Sequence, residues 1–269
     1  MKAANKIILY LALAFAAVMI CGTVGAVYGI AGRIFDFSGK DNEQMKMKKF
    51  DVGTSAQSID IDIGTAKLVI NSGDTLSVES DCDRLEAENR NGVLTVEEKK
   101  SVFKTHREEC HVNITLPENC VFDSVSIDCG AGSVIAEGLH CADLEANIGA
   151  GKAELNNISV SGDSDIDCGA GMAKISEASL NNLDLNLGAG KLELKGRLSG
   201  KNFIDCGAGA AEIVLHGKPD DYCITADRGA GVITIGGENT NKGGVYGNGD
   251  TTVEVNGGAG RMSVSFSED

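Results

Sequence analysis

Residues 183–194 read Leu-Asp-Leu-Asn-Leu-Gly-Ala-Gly-Lys-Leu-Glu-Leu. Leu183, Leu185 and Leu187 alternate with polar neighbours before the glycines, and Leu192 and Leu194 resume the alternation after them. A period of two places one set of side chains on a dry face and the other on a wet face of a strand. Gly188-Ala189-Gly190 interrupts the strand. A sharp corner needs positive φ or close backbone approach, and glycine tolerates both because it has no Cβ. The stretch predicts strand, corner, strand.

The same unit recurs along the chain. Gly-Ala-Gly stands at 130–132, 149–151, 169–171, 188–190, 207–209, 229–231 and 258–260, in steps of 19, 20, 19, 19, 22 and 29 residues, and Gly64-Thr65-Ala66 is a degenerate eighth copy. Alternation precedes the glycines at Ile59, Ile61, Ile63, at Val125, Ile127, Cys129 and at Leu144, Ala146, Ile148. It follows them at Leu68 and Ile70, Val134 and Ala136, Ala211 and Ile213, and Met262 and Val264. A unit of this size cannot close a core alone, whereas stacked copies bury one continuous apolar column. The expected fold is an all-β β-solenoid (β-helix or β-roll-like) of about 19–20-residue coils with Gly-Ala-Gly corners. About eight coils spaced about 4.8 Å apart give a rod of roughly 40 Å.

The outward residue before each corner is Asp62, Asp128, Asn147, Asp167, Asn186, Asp205 and Asn256, and Asp227-Arg228 keeps the pattern with a charged neighbour. If the coils stack in chain order, Asp faces Asn for five coils running. That order avoids carboxylates about 4.8 Å apart and permits an amide–carboxylate ladder. The alternation also suits a coil of about 38 residues holding two corners. Residues 71–123 break the repeat. Thr75–Glu79, Gly92–Glu97 and His111–Leu116 read as strands, with Asn91-Gly92 as a hairpin turn, and together they form a β-rich cap over the first coils. Residues 237–250 are expected as one long loop. Ser267-Glu268-Asp269 are expected to close the far end with charge.

Composition narrows the function. The 269 residues include 35 Gly, 2 Pro, no Trp and 4% aromatics, and the net charge is −15. The surplus of acids argues against a nucleic-acid partner, since phosphate neutralisation needs a basic surface. Ile7 to Ile30 carry no charge and are long enough to cross a bilayer. Lys2 and Lys6 precede the run, which places the N-terminus in the cytoplasm and the remainder outside. The predicted organisation is a signal-anchor helix at 1–32, a juxtamembrane linker at 33–50 and an ectodomain at 51–269. Its cap is 71–123 and its regular repeats are 124–269. A cleaved signal peptide ending near Val24-Gly25-Ala26 and lipidation at Cys21 are the alternatives, and all three export the chain.

Gly92-Val93-Leu94-Thr95-Val96, Val112-Asn113-Ile114-Thr115-Leu116-Pro117, the N-terminal anchor and the Gly-rich repeats together resemble the "putative adhesin" family of bacterial exported proteins. The resemblance covers about 51–269. It implies a β-solenoid ectodomain at the cell surface and no particular chemistry.

No catalytic residue and no cofactor is expected. Gly149-Ala150-Gly151-Lys152 lacks the spacing of a phosphate loop. Cys129, Cys168 and Cys206 recur on the inward face and read as small buried hydrophobes rather than a metal column. Cys82, Cys110, Cys120, Cys141 and Cys223 lie outside that column, with Cys82–Cys110 or Cys110–Cys120 as the plausible staples. Cys110-His111 is a poor nucleophile pair, because strand neighbours point to opposite faces. No metal site is expected. The weak candidates for cation contact are Asp62, Asp128, Asn147, Asp167, Asn186 and Asp205, whose oxygens suit a hard cation.

The expected role is a non-catalytic, membrane-anchored surface or envelope interaction module. Its acidic strip (Asp60, Asp62, Asp128, Asp167, Asp205) lies beside a mixed one (Lys67, Lys152, Glu154, Lys191, Glu193, Glu212). The expected partners are the membrane, through the N-terminal helix, and cationic peptides or cell-wall components. A self-assembling envelope scaffold and a carbohydrate-active enzyme are the alternatives.

Overall fold

The computed structural model describes residues 47–99, 110–240 and 244–268. The expected membrane segment and most of the linker lie outside the described residues. Among the described residues no helix is long and apolar enough to cross a membrane. The chain there is almost wholly β. The strands are β1 (Lys48–Phe50), β2 (Ser58–Gly73), β3 (Ser77–Ser80), β4 (Leu85–Arg90), β5 (Val93–Glu98), β6 (Cys110–Pro117), β7 (Phe122–Glu137), β8 (His140–Asn156) and β9 (Ser159–Val160). They continue with β10 (Ser164–Asn181), β11 (Leu183–Ser199), β12 (Lys201–His216), β13 (Tyr222–Arg228), β14 (Val232–Ile235), β15 (Glu238–Asn239), β16 (Gly244–Tyr246) and β17 (Thr251–Ser267). All belong to one connected sheet.

Each long strand carries its corner within it and lies parallel on the next. Ala131 pairs with Ala150, Ala150 with Ala170, Ala170 with Ala189, Ala189 with Ala208, and Ala208 with Ala259. One corner therefore falls on each repeat, and the 38-residue alternative does not hold. The first glycine of each interior corner has no room for a side chain. A Cβ on Gly188 would sit 2.4 Å from the Gly169 carbonyl oxygen. The third glycine is tighter still: φ is +139° at Gly190, and its Cβ would meet the Gly171 oxygen at 1.8 Å. Side chains are excluded by the backbone one repeat away, not by the local turn alone.

The inward column is dry. Ile127, Leu185 and Ile213 are each 0% exposed. Cys129, Ile148, Cys168, Leu187 and Cys206 follow one another in register and are buried. Four polar side chains are buried among the described residues, Ser80, Ser164, Asn202 and Thr240. Ser164 donates to the Asn181 carbonyl. Asn202, 1% exposed, accepts from the Leu183 amide at 3.0 Å and donates to the carbonyls of Ser199, Gly200 and Thr252. Its side chain ties three neighbouring repeats together and supplies the acceptor for the Leu183 amide, whereas the Ser199 and Gly200 carbonyls also accept the backbone amides of Asn182 and Thr252.

The strands do not stack in chain order. β12 pairs with β17, and β17 pairs in turn with β13 and β14, so the last strand of the sequence is inserted before the segment that precedes it. Ser267 and Glu268 consequently do not close the end. That end is formed by β13 and β14, each covered by a short antiparallel strand, β16 and β15. The stretch expected as an open loop at 237–250 contains both of these strands. At the opposite end β2 meets β5 and β6 in parallel, and antiparallel β4 and β3 cover those. The cap strands expected at 71–123 are present, and β4 and β5 are joined through Asn91 (φ 55°) and Gly92 (φ 84°), the left-handed pair of a tight hairpin. The strand expected at Thr75–Glu79 begins at Ser77. Lys48–Phe50, the end of the expected linker, pairs with β3.

Candidate interaction surface

The six sequence-picked positions Asp62, Asp128, Asn147, Asp167, Asn186 and Asp205 stand side by side in one outward column. The column continues through Asn256 to Asp227. Chain order would have put Asp227 against Asp205. Insertion of β17 places Asn256 between them, so carboxylate and amide alternate without a break from Asp128 to Asp227.

A second acidic column runs beside the first, two residues upstream on each strand. It comprises Asp60, Ser126, Glu145, Asp165, Asp184, Phe203, Glu254 and Thr225. Of these, sequence reading placed only Asp60 on the acidic strip, which is two columns wide rather than one. Glu145, Asp165, Asp184 and Glu254 occupy the preceding outward positions of the same alternation, so the signal was available. The Asn amides chiefly serve this second column. Asn147 donates to Glu145 at 3.1 Å and Asn186 to Asp184 at 3.0 Å, both along the strand. Asn256 alone of these three reaches across a repeat, to Asp205 at 2.6 Å. The expected cross-repeat ladder is thus mainly a set of in-strand braces that hold two rows of acids in register.

Like charge accumulates at the middle of this face. The Asp165 carboxyl is pushed above its ordinary value by partial desolvation first, then by the carboxylates of Asp167, Asp184 and Glu145. At the cap end the alternation lapses, and Glu86, Glu97, Asp62 and Asp128 succeed one another across four strands.

Beyond the corner the surface is mixed. Lys152 pairs with Glu154 at 2.7 Å, Lys191 pairs with Glu193, and Lys195 meets Glu177 at 3.1 Å. The Lys191 ammonium lowers the Glu193 carboxyl. Neutralised within itself, this side carries less net field than the acidic face.

Inside, burial pushes the thiols of Cys129 and Cys206 up, Cys168 to about 11 and Cys141 to about 12. Thiols so disfavoured as thiolates are poor nucleophiles and metal ligands. In the cap, Cys82 and Cys110 form a disulfide, which selects between the two pairings the sequence left open. Glu98 lies against it, holding Arg84 and accepting the Gly64 amide at 2.9 Å. His111 is clamped by Asp81, through its backbone amide at 2.7 Å and its ring Nδ1 at 2.8 Å. The potential metal ligands that converge among the described residues are Cys82, Glu98 and Cys110, and two of them are consumed by the disulfide. The candidate cation column does not converge on a point.

No family profile and no curated protein matches this chain. Solved structures to which it is similar include those of three bacterial proteins. A "putative cell adhesion protein" from Clostridium sporogenes is 17% identical, with a TM-score of 0.39, covering 82% of this chain and 99% of that one. A "putative adhesin" from Bacteroides fragilis is 11% identical, with a TM-score of 0.37, covering 81% and 95%. A "putative adhesin" from Parabacteroides distasonis is 13% identical, with a TM-score of 0.36, covering 81% and 95%. These neighbours are bacterial proteins named for adhesion.

Proposed function

We propose that the chain is a β-solenoid carried outside the cell on its N-terminal apolar segment, and that it acts without catalysis as a surface or envelope interaction module. The observation that supports this reading is the acidic face before the corners. Two in-register columns from Asp60 and Asp62 to Glu254 and Asp227 line carboxylates, spaced by amides and a few neutral residues, along one sheet face backed by the buried core. Such a surface selects cationic partners, basic peptides or amine-bearing wall polymers, through the field of many fixed charges rather than through a pocket. The antiparallel strands at both ends disfavour the scaffold alternative, because edges closed by short strands, 6 residues in β4 and 3 in β16, are poor templates for a second copy.

Titration of the full chain with a labelled oligolysine tests the reading. Affinity is expected to fall steeply between 50 and 200 mM salt. Absence of binding at low salt, or binding indifferent to salt, overturns it.

A further inference from the structure

Phe203 breaks the second acidic column. Every other residue of that column is acidic or hydroxylic, yet Phe203 is 44% exposed and stands outside the apolar core. In register it lies between Asp184 on β11 and Glu254 on β17, each about 4.8 Å away along the stack. Asp205 follows two residues on, pointing to the same side, with Asn186 and Asn256 flanking it. Those two amides are already donating to Asp184 and to Asp205, which fixes the carboxylates around the ring. The result is a partly exposed aromatic side chain flanked by three carboxylates on the outward surface of the sheet. Water solvates the acids well but the ring poorly. A group that satisfies both is a cation with a weakly hydrated planar face, lying on the ring with its edge toward the acids.

We propose that Phe203, Asp184, Asp205 and Glu254 form a recognition cradle for an arginine side chain of a basic peptide lying along the acidic face. The proposal rests on the functional reading above and gives that face a fixed point. The guanidinium stacks on Phe203 and donates to the carboxylates beside it. Neighbouring basic residues of the same peptide meet the Asp165 and Glu145 region through charge alone. Arginine is preferred to lysine, because an ammonium offers neither a planar face to the ring nor two parallel donors to a carboxylate.

The test is fluorescence anisotropy of labelled hexa-arginine and hexa-lysine against the full chain, wild type and with Phe203→Ala, Phe203→Leu or Phe203→Tyr. Wild type is expected to favour hexa-arginine. Phe203→Ala and Phe203→Leu are expected to weaken hexa-arginine by about 2- to 5-fold and hexa-lysine less, while Phe203→Tyr keeps the preference. The substitutions lie on the surface, and unchanged melting temperatures confirm intact folding. If all variants bind hexa-arginine as wild type does, with salt dependence preserved, the cradle is refuted and the acidic-face reading stands. If wild type binds neither peptide at 50 mM salt, that reading falls and takes the cradle with it.

Discussion

The middle of the stack and its two ends are built from the same repeat under different constraints. In the middle, every corner has a neighbour above and below, and the third glycine of the corner takes φ between +123° and +143° at Gly132, Gly151, Gly171, Gly190, Gly209 and Gly260. At the cap end the corresponding residue is Ala66, and at the far end Gly231 has no positive φ. In the middle, strands pair in parallel for 12 or more residues, as between β10 and β11. At both ends the pairing splits into two shorter partners and then turns antiparallel. In the middle, carboxylates alternate with amides, whereas at the cap end four acids adjoin. Glycine, parallel register and charge alternation therefore go with an unbroken parallel neighbour on both sides, and they relax where one neighbour is split into two shorter strands.

The largest effect should come from violating the middle. Gly190→Ala forces a Cβ onto the Gly171 oxygen at a φ that L residues avoid, and a loss above about 4 kcal/mol is expected in urea unfolding of the full chain. Ala66→Gly at the end should cost only about 0.5–1 kcal/mol, through chain entropy. Equal effects at the two sites would erase the distinction between middle and end. Replacing Cys82 and Cys110 with Ser opens a loop of 28 residues. A loss of about 3–4 kcal/mol is expected, with faster hydrogen exchange in β3–β6 and unchanged protection in β10–β12.

A smaller loss, about 2–3 kcal/mol, is expected for Asn202→Ala, which removes the acceptor of the buried Leu183 amide and the donor to the Thr252 carbonyl. Calorimetry at pH 7 checks it. The charge pattern should give the mildest signals. Asn256→Asp sets three carboxylates in succession, Asp205, residue 256 and Asp227, and should cost about 1 kcal/mol at pH 7. Asp165→Asn should do the reverse. Its raised folded pKa means that the neutral form favours the native state and that ionisation at neutral pH opposes it. Melting temperature should therefore rise for Asp165→Asn at pH 7, and the gain should fade as pH falls toward the ordinary carboxylate value of 3.8.

Much of this architecture was legible because repetition amplifies weak signals. Alternation about a single Gly-Ala-Gly is ambiguous, but seven copies at nearly one spacing are not, and Ile127, Leu185 and Ile213 lie in the core as their phase requires. Asn91-Gly92 named its turn through backbone chemistry alone. The order of the final strands is also written in the sequence, in its charges rather than its glycines. Asp227 and Asn256 break the charge alternation when taken in chain order and restore it when exchanged. Asn202 was illegible for a different reason: an amide at an inward position reads as a fault until the turns it ties are known in space. The second acidic column is harder to read, because it stands two residues farther from each corner and Ser126, Phe203 and Thr225 interrupt its acids. The pairing of Cys82 with Cys110 needed three dimensions, since two partners for Cys110 were open on spacing.

Everything turns on in-register stacking with β17 inserted ahead of its chain order. Cysteine pairs on the outward face measure it directly, because a disulfide requires Cα atoms no more than about 7 Å apart. Phe203→Cys with Glu254→Cys joins adjacent repeats and should oxidise readily to an intramolecular bond, seen as a mobility shift on non-reducing gels. Phe203→Cys with Thr225→Cys spans two repeats, about 9.6 Å, and should not. The opposite outcome would mean that the strands stack in chain order, and failure of both pairs would mean that they are not in register at all.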